Sequence, residues 1–167
     1  KEPSIIAVAL DTGLRPIEVG RATTDWVNLE NNELNIPKDE ATKNKAHWNC
    51  SIKGRTAKVL ERWLEERETY DKYRGRDKLW LTKQGTPYSS KSCNALLRRL
   101  IENGDIPIPD HKDITWYSIR HGVATYWANH IGPHHANEQL RHKSVTPTMK
   151  YLHSDAETRH DAAEQIW

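Results

Sequence analysis

Between positions 26 and 52 the apolar residues stop recurring at helical spacing and alternate with polar ones, as they do in strands with one buried face. The alternating apolar residues on either side of the Asn31-Asn32 pair are Val27, Leu29, Leu34 and Ile36. Asparagine tolerates the positive φ of a tight turn, so this pair predicts a hairpin. A further alternating run over 48–52 predicts the third strand of a small antiparallel sheet.

Elsewhere the apolar residues recur every three or four positions, which predicts helices over 4–10, 17–23, 55–70, 133–141 and 156–166. Two more helices begin at capping residues, one at Ser89 or Ser90 and one at Asp113 or Thr115. The predicted buried stripe of the second is Ile119, Val123, Tyr126 and Trp127. The fold class is therefore mainly α with a small three-stranded antiparallel β-sheet.

Length and composition predict one domain over residues 1–167. The 25 Lys and Arg residues against 23 acidic ones give a net charge of +2, which excludes a strongly basic tail but allows a local basic face. Neither an apolar run of about 18 residues nor a signal peptide is present, so we expect a soluble, cytoplasmic protein with no membrane partner. Cys50 and Cys93 lack CxxC spacing, which favours reduced thiols over a zinc site or a disulfide. No metal or other cofactor is expected.

Two arginines occupy positions suited to binding an anion. Gly13 favours the end of the first helix and Pro16 the start of the next, so Arg15 lies at the elbow between them. Arg120 lies near the start of a later helix, where free N–H groups and the helix dipole favour negative charge. Each guanidinium presents a planar fork of donors and stays charged, which suits a phosphate.

Four separated motifs follow one another along the chain: Thr-Gly-Leu-Arg-Pro-Ile-Glu-Val at 12–19, Tyr-Ser-Ile-Arg-His at 117–121, Leu-Arg-His-Lys-Ser at 140–144 and Thr-Met-Lys-Tyr-Leu-His at 148–153. Together they resemble the catalytic domain of the tyrosine recombinases, the phage-integrase family. The resemblance implies that family's mainly α DNA breaking-rejoining fold. It also implies site-specific DNA recombination or integration, viral genome integration included, through a covalent 3′-phosphotyrosyl intermediate and without metal.

The resemblance assigns a role to each catalytic residue. Arg15 and Arg120 would clamp the scissile phosphate, and Tyr151 would be the nucleophile. Lys43, in the connection between the second and third strands, would protonate the leaving 5′-oxygen. Lys45 lies two residues away and remains a rival for this role.

The remaining assignments concern hydrogen bonding. His142 would donate to the phosphate or to the attacking phenol, as an imidazole can near neutral pH. Glu18 would orient a guanidinium from a supporting position, and His121 would lie beside the site in a supporting role. Tyr117 stands where the family usually has histidine. A phenol can donate a hydrogen bond to the phosphate, but it does not take up a proton near neutral pH.

A second departure is Arg141, which stands where the common Leu-Gly-His motif has glycine. The helix end there would thus lack its usual left-handed residue. Archaeal and viral members tolerate such changes, so we expect a variant of that type.

The expected partner is double-stranded DNA at a recombination site. We expect this chain to lack the family's N-terminal core-binding domain, and we expect a tetramer on DNA for the full-length protein and a monomer for the isolated domain. Two alternatives stay open. One is a catalytically impaired DNA-binding module of the same fold, and the other is a metal-dependent nuclease or hydrolase with His134, His135 and His142 as ligands.

Overall fold

A computed structural model describes residues 1–38, 47–109 and 112–142 of the chain. In order, the elements of these residues are α1 Glu2–Thr12, α2 Pro16–Arg21, a 3₁₀ turn Thr24–Trp26, β1 Val27–Asn28, β2 Glu33–Pro37, β3 His47–Ser51, α3 Gly54–Arg67, a 3₁₀ turn Asp71–Tyr73, α4 Ser90–Asn103, α5 Trp116–His130 and α6 Pro133–Gln139. Across those three stretches, none of the helices is long and apolar enough to cross a membrane. The helix predicted over 156–166 lies outside the described residues.

The predicted sheet is confirmed, with strand order β1-β2-β3 and antiparallel pairing throughout. Leu34 pairs with Cys50, and Ile36 pairs with Trp48. Leu34, Ile36 and Cys50 are buried, as expected for the inner face of alternating strands. Asn32 adopts φ 52° in the turn between β1 and β2, so asparagine supplies the left-handed residue that the sequence predicts there.

Three fully buried tryptophans anchor the helices around the sheet. Each indole N–H finds an acceptor: Trp63 donates to the Leu79 carbonyl at 2.9 Å, Trp80 to Ser4 Oγ at 3.0 Å and Trp116 to the Leu14 carbonyl at 2.8 Å. A buried indole without an acceptor would lose the hydrogen bond it makes in water, so these contacts fix the orientation of each ring. Trp116 thereby ties the start of α5 to the turn between α1 and α2.

Helix α5 buries part of the predicted stripe, with Val123 buried and Ile119 and Trp127 partly buried, but not Tyr126. It is capped at Thr115, as one of the two candidates predicted, and its buried residues include Arg120 and Ala124. Tyr126, predicted to be buried, is 57% exposed and stacks on His130 with ring centroids 4.4 Å apart. The prediction for Tyr126 is wrong because Arg120 and Ala124, which were placed on a neighbouring face, are the residues buried together with Val123. Burial of the Arg120 side chain turns the inner face of α5 away from Tyr126.

Helix α2 passes close to the part of the chain that precedes α4. The effect on stability of replacing a glycine with alanine should therefore depend strongly on where the glycine lies. A Cβ atom on Gly20 would lie 2.2 Å from the Tyr88 carbonyl oxygen, whereas one on Gly122, inside α5, would meet nothing within 4 Å. We expect Gly20→Ala to destabilise the fold by about 1–3 kcal/mol through overpacking. The matched control Gly122→Ala should stabilise it by about 0.5–1 kcal/mol, because alanine favours helix. Urea unfolding midpoints measure both, and an unchanged midpoint for Gly20→Ala would contradict the packing.

Candidate active site

The turn between α1 and α2 lies at the centre of the candidate site. Gly13 ends α1 in the left-handed conformation at φ 60°, as predicted. There is no room for a side chain, because a Cβ atom would lie 2.9 Å from Leu140 Cδ2 and 3.4 Å from Arg120 Cγ. The Gly13 carbonyl accepts hydrogen bonds from Arg120 Nη1 at 2.8 Å and Arg141 Nη2 at 3.3 Å. The turn that precedes Arg15 is thus held by side chains from distant parts of the chain.

Arg15 is the residue that caps the start of α2, with extended backbone angles. Glu18 Oε2 accepts from its backbone N–H at 2.6 Å, and Glu18 Oε1 accepts from its Nη1 at 3.0 Å. The side chain is 32% exposed. Within the described ranges, Glu18 is the only group to which the Arg15 guanidinium donates, so the rest of its fork can bind an anion.

Arg120 reaches the same turn from α5. Its side chain is buried, with Nη1 donating to the Gly13 carbonyl and Nη2 to the Leu140 carbonyl. These contacts fix the guanidinium between the end of α1 and the end of α6. Ala124, one turn further along α5, is also buried.

Arg141 follows α6 and is the residue that the sequence reasoning missed. It adopts φ 58°, so the expectation that this helix end lacks a left-handed residue is wrong. Arginine takes that conformation here because its side chain is held on every side. The acceptors of its guanidinium are Glu18 Oε1 at 2.9 Å and Oε2 at 2.7 Å, the carbonyls of Thr12 at 2.9 Å, Gly13 at 3.3 Å and Gln139 at 2.7 Å, and Cys50 Sγ at 3.2 Å.

Glu18 is a buried carboxylate shared by two arginines. Burial by itself favours its neutral form, but the charge and hydrogen bonds of Arg141, together with those of Arg15, outweigh it and hold the pKa of Glu18 below its ordinary value. The carboxylate therefore stays ionised and links the two guanidiniums. The expected contact of Glu18 with the Arg15 guanidinium is present, and the contact with Arg141 was not expected.

His142 lies where the positive charges converge. Burial, and then the charges of Arg120, Arg15 and Arg141, lower the pKa of His142 to about 4. The three guanidiniums lie close together, because Arg120 and Arg141 share the Gly13 carbonyl while Arg15 and Arg141 share Glu18 Oε1. His142 is therefore neutral at physiological pH, the form in which one ring nitrogen is a donor and the other an acceptor.

Helix α6 is docked so that these residues meet. The Gln139 side chain lies along the edge of β3, where its amide oxygen accepts from the Ser51 N–H at 3.1 Å and its nitrogen donates to the Ser51 carbonyl at 2.7 Å. The same nitrogen donates to the Asp11 carbonyl at 3.0 Å. This side chain continues the hydrogen-bonding pattern of the sheet and ties α6 to α1 and β3.

The remaining predicted site residues divide into two groups. Tyr117 is 48% exposed on the first turn of α5, and His121 is exposed on its second turn. Both are on the helix that carries Arg120, and their roles stay predictions. Lys43, Lys45 and Tyr151 lie outside the described residues.

The described histidines do not form an evident metal site. His134 and His135 are exposed and lie 3.6 Å and 3.9 Å from the carboxylate of Glu138. In the part of the chain that the structure describes, no three His, Cys, Asp or Glu residues are grouped so that they could hold a metal ion.

Comparison with known proteins places this arrangement in a family. The model of the phage integrase family matches residues 2–158 of the chain. The chain belongs to the phage integrase family. No curated protein matches it, so the family model is the sequence comparison that defines this integrase-family domain.

Solved recombinase structures share the fold of the integrase-family domain. XerA recombinase has a TM-score of 0.75 and 21% identity, over 97% of this chain and 56% of its own. XerH site-specific recombinase, in a pre-cleavage complex with difH substrate, has a TM-score of 0.76 and 21% identity, over 99% and 46%. The Tn1549 transposon integrase, in complex with transposon right end DNA, has a TM-score of 0.72 and 18% identity, over 98% and 58%. The chain thus spans about half the length of these proteins.

The lowered pKa of His142 predicts that the fold loses stability as the pH falls below about 7. An unfolded imidazole takes up a proton near pH 6.5, whereas folded His142 stays neutral down to about pH 4. Because the unfolded state binds more protons in this window, the free energy of unfolding falls as the pH drops from about 7 to about 5. His142→Gln lacks this contribution and should lose less stability over the same range.

Urea unfolding of both proteins between about pH 7 and pH 5 measures the difference, since all other titrating groups are common to them. A difference in unfolding free energy that does not change with pH would contradict the depressed pKa.

Proposed function

We propose that this domain cleaves and rejoins double-stranded DNA as a site-specific recombinase, through a covalent 3′-phosphotyrosyl intermediate. The observation that carries the proposal is the convergence of Arg15 and Arg120 near His142 in a chain of the phage integrase family. The recombinases similar in fold include structures in complex with DNA, which supports DNA as the partner.

In this mechanism the two arginines bind the non-bridging oxygens of the scissile phosphate. Attack on a phosphodiester builds negative charge on these oxygens in a crowded five-coordinate state. Arg15 offers the guanidinium N–H groups that do not bond to Glu18, and Arg120 is already fixed in place by backbone carbonyls. Donors held in advance stabilise the developing charge without reorganising, and losing one such donor lowers the rate by about 10²–10³-fold.

Tyr151 is the proposed nucleophile. Its phenol oxygen bonds to phosphorus at the 3′ side while the bond from phosphorus to the 5′-oxygen breaks. A tyrosine has a reference pKa of about 10, so the attacking phenol needs nearby positive charge or a base. The phosphotyrosyl bond keeps the energy of the broken bond, so the released 5′-hydroxyl can attack it and rejoin the strand without ATP.

Two residues take part in hydrogen bonding and proton transfer. Neutral His142 can donate a hydrogen bond to the phosphate or to the attacking phenol, and the positive charge around it favours release of the phenol proton to solvent. Lys43 donates a proton to the leaving 5′-oxygen, with Lys45 as the alternative donor. Tyr117 donates a hydrogen bond to the phosphate, and Glu18 and His121 support the site.

The recombinases that share this fold are about twice as long as the chain, so the properties of a whole recombinase are part of the proposal. On DNA we propose a tetramer in which a domain of this type acts within each full-length protein, and a monomer for the domain alone. Backbone phosphate contacts should then dominate DNA binding by the domain, with steep salt dependence.

One assay separates this mechanism from the two alternatives. Nicked suicide duplexes of randomised sequence are incubated with the protein in EDTA, and covalent protein–DNA adducts are recovered under denaturing conditions. We expect an adduct with the wild type and none with Tyr151→Phe, because the variant lacks the attacking oxygen. Tyr126→Phe is the matched control, since that phenol is exposed on the far part of α5 and should be dispensable.

Each other outcome supports a different function. Retained DNA binding without adduct would indicate an impaired DNA-binding module. Cleavage that requires added divalent metal and leaves no adduct would indicate a nuclease.

The exposed phenol of Tyr117 gives a second prediction. If it only donates a hydrogen bond to the phosphate, an imidazole can replace it, and Tyr117→His should form adduct within about tenfold of the wild-type rate. Tyr117→Phe, which lacks the donor, should be slower than Tyr117→His. Single-turnover cleavage rates measure both variants, and complete loss of cleavage in Tyr117→His would overturn this role.

A further inference from the structure

Arg141 connects the segments that carry the proposed catalytic residues. Its guanidinium holds the carbonyls of Thr12 and Gly13 at the end of α1, the Glu18 carboxylate on α2 and the Cys50 sulfur on β3. Arg15 follows the first of these segments. The connection predicted to carry Lys43 leads into β3, and His142 is the next residue in the chain.

Arg141 is linked to Arg15 through the Glu18 carboxylate. One carboxylate oxygen, Oε1, accepts from both Arg141 Nε and Arg15 Nη1, and the other, Oε2, accepts from Arg141 Nη2 and the Arg15 backbone N–H. The carboxylate therefore cannot turn to follow Arg15 without breaking its pair with Arg141. Arg141 is linked to Arg120 through the Gly13 carbonyl, which accepts a hydrogen bond from each of these two arginines.

The guanidinium of Arg141 is occupied by protein acceptors and does not face DNA, because its Nε, Nη1 and Nη2 all donate within the fold. Its side chain is 1% exposed, against 32% for Arg15. The donors of its guanidinium are directed at protein acceptors rather than towards solvent. Any effect of this residue on cleavage must then act through the groups that it holds.

A role limited to ending α6 would not need a guanidinium. At φ 58° glycine is the least strained residue, and arginine is strained there. The strain is offset only by what the side chain binds.

We propose that Arg141 is a positioning residue for DNA cleavage: its buried guanidinium fixes Glu18 and the Gly13 turn so that Arg15 and Arg120 are aimed at one phosphate. This inference rests on the proposed function. Removal of the side chain should lower the rate of the chemical step more than the affinity for DNA, since misplacement of a group by about 1 Å can lower a rate by roughly 100-fold.

The test uses Arg141→Gly, which removes the whole side chain and places at φ 58° the residue that is least strained there. Single-turnover cleavage and DNA affinity are measured on duplexes recovered in the adduct assay. We expect the cleavage rate to fall by about 100-fold with the dissociation constant changed by less than about threefold. Added guanidinium chloride, compared with sodium chloride at the same ionic strength, should restore part of the rate.

Two further variants keep the result interpretable. Arg141→Lys retains the charge but not the planar fork, and should remain slow. Arg67→Lys is the matched control, because Arg67 is also buried and donates to the Arg76 and Lys78 carbonyls away from the site. It should cleave at the wild-type rate wherever circular dichroism shows it folded.

The inference would be overturned if Arg141→Gly cleaved DNA at the wild-type rate. It would also be overturned if the fall in rate were accounted for by the unfolded fraction of the variant or by its lost affinity for DNA. Absence of an adduct with the wild type would refute the proposed function instead. The inference would then be decided by NMR of the Arg15 Nε–H group, assigned with Arg15→Lys. Arg141→Gly should shift this signal and speed its exchange with water, and an unchanged signal would overturn the positioning role.

Discussion

The buried ion pair between Glu18 and Arg141 is the interaction on which the candidate site depends. Two charges removed from water are stable only when their geometry and remaining hydrogen bonds are complete, and here both carboxylate oxygens and all three guanidinium nitrogens are used. Loss of one partner from such a pair costs about 3–5 kcal/mol. That is a large part of the roughly 5–15 kcal/mol that stabilises a typical domain. The same contact thus supports both the fold and the shape of the site.

The electrostatics of the site follow from the same arrangement. Three guanidiniums lie around one imidazole with a single buried carboxylate between two of them, so positive charge is in excess. Folding brings these like charges together at a cost in free energy. The depressed pKa of His142, which burial and the same charges cause, reflects this cost. A bound phosphate would relieve the repulsion, and this is how a preorganised site favours an anion over water.

The sequence predicted the parts of this structure that depend on periodicity and on backbone chemistry. The sheet followed from alternation, the turn from Asn32, and the position of Arg15 from Gly13 and Pro16. It did not predict the burial that depends on a distant partner. Arg120 and Arg141 are buried because carbonyls 107 and 129 residues away accept their hydrogen bonds, and no local pattern reports such acceptors. The same omission placed Tyr126 on the wrong face of α5.

The two departures from the family motifs differ in their physical consequences. Exchange of histidine for Tyr117 removes a group that can carry a proton near neutral pH. Exchange of glycine for Arg141 adds a buried cation beside His142, and burial together with this charge and those of the other arginines keeps the imidazole neutral. In the proposed mechanism neutral His142 donates a hydrogen bond to the phosphate or to the attacking phenol. The first departure therefore leaves Tyr117 as a hydrogen-bond donor to the phosphate, while the second adds positive charge that favours both a bound anion and loss of the phenol proton.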